Sequence, residues 1–588
     1  MYSKPYYLLS VLWLSLSLSY GSEVLIMITC PPHPHHVHEN CFALAKSLRT
    51  QQQHMELASG GVPGDYVIKV HIMHELFNYW TLLYSLPNLR TQTRLLNADT
   101  EWIIWCQHNT HVSSLQGLLE QLQRQNAQEL SYYGHALYDS EATIVHHFAY
   151  YKNPTWFPYP MLSAGLVFTG HLLRSLAELV ALNAQNVSRH SEFSIDASHE
   201  LARFIFDNFT PDGDYENDVD DDDNDSYIKV QHQHLAGDIL KRKIILKSAT
   251  YICPAATKAS LASQEMSPER TKRRIKDNMD MGCAMHAKPD IALTMPPPLS
   301  TASPVTVTTG NSKNCVHTTG SHIYFAIKTC AKFHKERIPI IERTWAIDAM
   351  NRRYYSDMAD SGIPTISTGI PNVPTGHCSK TLAILQLSLK DINEQMNMSV
   401  RWLMLVDDDT LLSVPRLGAL LSCYNHTENI YVGERYGYRL YAPDGFNYHT
   451  GGAGIVFSLP LVRLIVERCS CPTANAPDDM ILGYCLQALG VWAIPANGLH
   501  QARPQDYARE LLQQNLALSF HKFSNTQPEQ TYKRWLGGSG GNESLHHAQL
   551  DHKNNNNNDH GQQATSEHFR DPLQLPIMMA ANGKHLDL

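Results

Sequence analysis

Short, continuous apolar runs recur along this chain. "EVLIMITC" (Glu23 to Cys30), "WIIWCQHNT" (Trp102 to Thr110), "HIYFAIKTC" (His322 to Cys330) and "RWLMLVDDDT" (Arg401 to Thr410) each predict a strand buried on both faces, as in the parallel sheet of an α/β domain. Helical spacing follows the last of them at Leu417, Leu420 and Leu421, and "IYVGERYGYRLY" reads as a strand leading into a polar loop.

These runs repeat. The first and third match at an offset of 300 positions, as do the second and fourth, and so do "WTLLYSLPNL" from Trp80 and "KTLAILQLSL" from Lys380. "SAGLVFTGHLL" from Ser163 then matches "GAGIVFSLPLV" from Gly452, and "SIDASHELARFIF" from Ser194 matches "APDDMILGYCL" from Ala476. Collinear matches of this kind predict two tandem α/β domains of one architecture. The expected division is a signal peptide at 1–21, a first domain at 22–210, a disordered linker at 211–319, a second domain at 320–536 and a flexible low-complexity tail at 537–588. The linker carries "DGDYENDVDDDDND" and a Pro/Thr/Ser-rich stretch; the acidic run lacks the glycine and glutamate of an EF-hand.

Composition narrows the setting. A net charge of -9 gives no basic footprint for nucleic acid, and the basic cluster at Lys272 to Lys276 falls in the linker. The leader "MYSKPYYLLSVLWLSLSLSYGSEV" reads as a cleaved signal peptide with no later spanning segment, so the mature chain is expected not to span a membrane. Twelve cysteines fit an oxidising compartment. Cys469 and Cys471 lack a second closely spaced pair for zinc and are expected in disulfides of undetermined partners. Sequons at Asn186, Asn224, Asn397, Asn425 and Asn542 are compatible with a lumenal protein.

The candidate chemistry lies in the second domain. An acidic triplet usually only solvates a turn, but Asp407, Asp408 and Asp409 end a buried strand, where α/β sheets collect ligands. Three adjacent carboxylates repel one another and suit a hard cation such as Mg²⁺ or Mn²⁺ holding a diphosphate. The first domain has Gln107, His108 and Asn109 there, which predicts a catalytically silent copy. "YHTGGAGIVFS" places Gly451 and Gly452 before a strand, where a backbone can approach a ligand or simply turn. Asp478 and Asp479 open a helix; one acid suffices as a cap, and the second is a candidate general base. Together these features describe an inverting, metal-dependent glycosyltransferase.

The segments "ERIPIIERTWA", "VDDDT", "GERYGY", "TGGAGIVFS", "APDDMILGYCLQALG" and "LHQARPQDY" also carry a family resemblance. The second domain resembles the fringe-like β-1,3-glycosyltransferases, above all those extending O-linked fucose on thrombospondin type 1 repeats with glucose. The first domain resembles their non-catalytic N-terminal region in "WTLLYSLPNL", "DSEATIVHHFA" and "IDASHELARFI".

The resemblance implies tandem GT-A-like (Rossmann-like) domains, UDP-glucose as donor, Mn²⁺ as cofactor, O-fucosylated thrombospondin repeats as acceptors and residence in the endoplasmic reticulum lumen. It implies Asp409 as a metal ligand, Asp407 and Asp408 orienting the donor with Arg343, Gly451 and Gly452, and Asp479 as the base. His500 in "LHQARP" is the implied second metal ligand and His521 in "SFHKF" the alternative; the family's further histidine is replaced by Ala502. The terminal "HLDL" departs from the usual retrieval tetrapeptide. Transfer of N-acetylglucosamine, or glycan binding without turnover, are the competing functions.

Overall fold

The computed structural model describes residues 22–30, 35–58, 61–73, 82–91, 95–146, 154–182, 192–209, 243–254, 283–288, 316–395, 399–440, 442 and 444–537. The leader, the acidic run, the C-terminal tail and the sequons other than Asn425 lie outside the described residues.

The second half is built on a seven-stranded sheet, ordered Thr365–Ser367, Asn351–Ser356, Ile323–Lys328, Trp402–Asp407, Ile455–Ser458, Tyr431–Gly433 and Ala493–Pro495. The first four strands run parallel, and Ile455–Ser458 lies antiparallel to both of its neighbours. Alternation along Ile323–Lys328 explains the double-sided burial: Ile323, Phe325 and Ile327 enter one core and Tyr324 and Ala326 the other.

The first half has a six-stranded sheet, ordered Lys247–Ser248, Tyr132–Gly134, Leu166–Thr169, Thr100–Gln107, Glu23–Thr29 and Val67–Met73. Five of its strands match five of the second sheet in order and in sense. The equivalence reaches single bonds. Thr110 Oγ1 donates to Ser163 O at 3.0 Å, and Thr410 Oγ1 to Gly452 O at 2.8 Å.

Two pieces of the segment expected as disordered linker are folded, which corrects that boundary. Lys247–Ser248 extends the first sheet, and Met285–Ala287 pairs antiparallel with Thr110–Val112. A disulfide between Cys253 and Cys283 ties the two pieces together. Strands of two or three residues are too short to carry a readable period.

The halves share an interface. Ala508 of the second half is buried in the first half's core, with Leu511 packed against it. Ser163 Oγ donates to Gln514 Oε1 at 2.7 Å, and Thr143 Oγ1 to Asp506 O at 3.1 Å. The strand Phe193–Ser194 pairs with Arg435–Tyr438, which pairs in turn with Phe446–His449. Cys378 is bridged to Cys471, fastening the segment before Asp478 to the helix Cys378–Glu394, and Cys469 to Cys485, fastening it to the helix Asp478–Ala488.

Candidate active site

Parallel pairing sets Lys328, the last residue of its strand, beside Asp407, the last residue of the next. Lys328 Nζ lies 3.1 Å from Asp407 Oδ1 and 2.9 Å from Asp478 Oδ2, so one largely buried cation joins the acidic triplet to the later acid pair. These carboxylates raise its pKa against the opposing effect of burial.

Asp408 is buried and turned away from solvent. Thr329 Oγ1 and Arg337 Nη1 each donate to it at 2.6 Å. Burial raises its pKa despite both donors. Asp409 takes Arg337 at 3.2 Å and His521 Nε2 at 3.1 Å; burial opposes its charge, but these cations hold it down at about 2.

His521 reaches the triplet because its strand, Ser519–His521, pairs antiparallel with Thr410–Leu412, setting His521 opposite Thr410. Its Nδ1 lies 3.0 Å from Gln501 O, which fixes that nitrogen as the donor and turns Nε2 toward Asp409 and Asp407. Asp407, Asp409 and His521 hold ligand atoms within 4.8 Å of one another, and two carboxylates with an imidazole suit a divalent cation such as Mn²⁺. Gly452 leaves room for this ring, since a Cβ there would overlap it.

His500 stands apart from that group. Its ring stacks on Phe520 at 5.0 Å and lies 4.5 Å from Tyr507, and burial lowers its pKa to about 3. Its amide donates to Ser519 Oγ, so it backs the strand that carries His521. Arg343 also stands apart. It is exposed at the end of the helix Ile338–Arg343 and pairs with Glu529 at 2.7 Å. The arginine at the triplet is Arg337, the residue that precedes this helix.

The acid pair at the start of the helix Asp478–Ala488 is divided in role. Asp478 accepts from Lys328 and from Thr381 Oγ1 at 2.6 Å, and against burial these hold its pKa low. Asp479 has only Met480 N at 2.8 Å and Gly451 N at 3.4 Å. Burial and the neighbouring Asp478 charge lift it to about 7. A carboxylate tuned in this way fits a general base near neutral pH.

Sequence reasoning passed over Lys328, Thr329 and Arg337. The signal for Lys328 was present: aligning "HIYFAIKTC" with "RWLMLVDDDT" as neighbouring parallel strands sets a cation beside an acid at their common end.

The first half differs at each of these positions. Asn109 stands where the second half has Asp409, and the residue opposite Thr110 is Ala287, where Thr410 faces His521. Ser163 occupies the place of Gly452. One other group among the described residues has metal-ligand spacing, Asp139, His146 and His199. There His146 spans Asp139 at 2.6 Å and Asp196 at 3.0 Å, and the two carboxylates lift it to about 9 against burial. Asp196 caps the helix Ala197–Asn208. Both ring nitrogens are therefore engaged in an ionic lock.

Comparison with known proteins adds an independent line. The family model described as Fringe-like matches residues 318–535. A mouse protein named β-1,3-glucosyltransferase is 34% identical over 487 residues, 82% of each chain. The human protein of that name is 33% identical over 480 residues, 80% of this chain and 78% of its own. Lunatic fringe from Xenopus laevis, a β-1,3-N-acetylglucosaminyltransferase, is 28% identical over 204 residues, 31% of this chain and 54% of its own. Among solved structures, a glycosyltransferase involved in glycosylation of the major capsid of PBCV-1 aligns over 36% of this chain and 98% of its own, at 14% identity and a TM-score of 0.22.

Proposed function

Because the chain belongs to the fringe-like β-1,3-glycosyltransferases, we propose that it transfers glucose from UDP-glucose to the 3-hydroxyl of O-linked fucose on thrombospondin type 1 repeats. Glucose is favoured over N-acetylglucosamine because the glucosyltransferase relatives match through both halves, whereas the fringe relative matches about a third of the chain.

The observation that carries the mechanism is the division between Asp478 and Asp479. Asp478 is held ionised by Lys328, while Asp479 is left to take a proton. Asp479 removes the proton of the fucose 3-hydroxyl as that oxygen bonds to C1 of glucose. The C1–O bond to UDP breaks on the opposite face, and the product is β-linked. Asp409 and His521, with Asp407 beside them, would hold Mn²⁺, which supplies positive charge toward the diphosphate leaving group. Lys328 and Arg337 fix the carboxylates in place, and Gly451 and Gly452 give the donor a backbone it can approach. His500 serves in this reading as support for His521, and Arg343 as a surface ion pair.

We assign the fold to two tandem GT-A-like domains, the first silent. Asn109, Ala287 and Ser163 replace the acid, the histidine and the glycine that the metal group requires. The endoplasmic reticulum lumen is the proposed site of action, supported by four disulfides among the described residues. No helix among those residues is long and apolar enough to cross a membrane.

The test compares Asp409→Ala with Asp479→Ala. Both should lose transfer, but only Asp409→Ala should lose manganese-dependent UDP binding in calorimetry. Retained turnover in Asp479→Ala would remove the base assignment.

A further inference from the structure

The ribbon formed by Arg435–Tyr438 and Phe446–His449 touches the proposed base from two directions. Its second strand leads into Gly451, whose amide faces Asp479 Oδ2 at 3.4 Å. Its aromatic face, Tyr436, Phe446 and Tyr448, encloses Met480, the residue after the base. Gly483, one turn further along the base helix, is packed so closely on Tyr448 that a Cβ would overlap it.

A two-stranded ribbon is at best marginally stable alone and needs a third strand or a packed face. The helix Asp478–Ala488 already packs on one face of it, and the first half adds the third strand and further apolar cover. Phe193–Ser194 pairs with Gly437 and Tyr438, and Arg439 N donates to Glu192 O at 2.6 Å. Phe193 and Ile195 pack on the cluster that holds Met480, with the Phe193 ring 5.2 Å from that of Tyr438.

We propose that residues 192–195 of the first half are a positioning element for Asp479, so that this half sets the geometry of the proton-accepting carboxylate in the other. The inference rests on the assignment of Asp479 as base. It gives the silent half a task at the reaction centre that requires no sugar contact of its own.

The test uses the full chain. Replacing the wedge with Phe193→Ala and Ile195→Ala together should lower kcat for transfer about tenfold or more, the scale expected when a reacting group shifts by a fraction of an ångström. The affinity for UDP with manganese should stay within about twofold, because Phe193 and Ile195 pack on the cluster around Met480 and not on Asp407, Asp409 or His521. Asp479 is faced by Asp478 on its own helix, Lys328 on the adjoining strand, and Tyr431, Tyr436 and Tyr448 on the strands around it. Loosening this packing hydrates the carboxylate, so the acid limb of the kcat profile should move to lower pH. Phe193→Leu should keep most of the rate. Hydrogen exchange at residues 435–438 should quicken in the double variant, and the single Phe193→Ala variant offers the same readouts with less disturbance.

An unchanged kcat, or a parallel fall of kcat, UDP affinity and unfolding temperature, overturns the proposal. Asp479→Asn separates the two ideas. If it is inactive while the wedge variants match the wild type, the positioning claim alone fails; if it retains turnover, the base assignment fails and takes this inference with it.

Discussion

Gly452 leaves the space that the His521 ring fills, and a methyl group on Gly452 would overlap that ring. The glycine-rich segment thus serves the candidate metal group as well as the turn, because His521 arrives from a strand about 70 residues later in the chain. Gly452→Ala should raise the manganese concentration needed for half-maximal transfer by roughly tenfold or more, since displacing one ligand costs over 1 kcal/mol. Gly451→Ala has open space at its Cβ and should leave the manganese midpoint in place. A manganese titration of transfer, with thermal unfolding as a control, checks both.

The proposed base predicts a pH profile. Asp479 must be ionised to accept a proton, and its pKa stands near 7, so kcat should rise through that pH and fall below it. The sign for stability is opposite. A carboxylate whose folded pKa is raised favours the folded state when protonated, and that contribution is lost as pH rises from about 4 through 7. Asp479→Asn should therefore be inactive yet more stable than wild type at pH 8, by something on the order of 1 kcal/mol. Rate profiles and unfolding at pH 6 and pH 8 check the pair of effects.

Lys328 compensates two partly buried acids at once, Asp407 and Asp478. Lys328→Met should destabilise the protein by about 3 kcal/mol, because removing one partner strands the charge of the others. Replacing Asp478 with Asn in the Lys328→Met background should recover part of that loss. Chemical unfolding of the single and double variants measures it.

The first half, proposed to be silent, should stay so. Restoring Gln107→Asp, His108→Asp and Asn109→Asp supplies acids, but Ala287 faces Thr110 where a histidine would be needed. No second manganese-dependent UDP site should appear in calorimetry on the triple variant. Adding Ala287→His with Ser163→Gly would be the least further change that could create one.

The legible parts of this molecule were local ones. The run from Trp402 to Val406 ending in aspartates revealed a strand and its carboxyl end, and collinear matches revealed equivalent strands in two halves. What remained hidden depends on long-range pairing. His521 joins the triplet only through the register with Thr410, so no spacing rule separates it from His500. Arg337 and Arg343 both fall in one basic, apolar segment; the short helix Ile338–Arg343 leaves the first at the acids and carries the second to the surface beside Glu529. The strand Phe193–Ser194 is two residues long, too brief for periodicity, although it joins the halves beside the proposed base.

The central claim is the reaction itself. Purified protein with manganese, an O-fucosylated thrombospondin repeat and either UDP-glucose or UDP-N-acetylglucosamine should yield a glucosyl-β-1,3-fucose product, identified by mass and linkage analysis, with UDP-glucose alone. Transfer of N-acetylglucosamine in preference, or no transfer from either donor by the folded protein, would contradict the account.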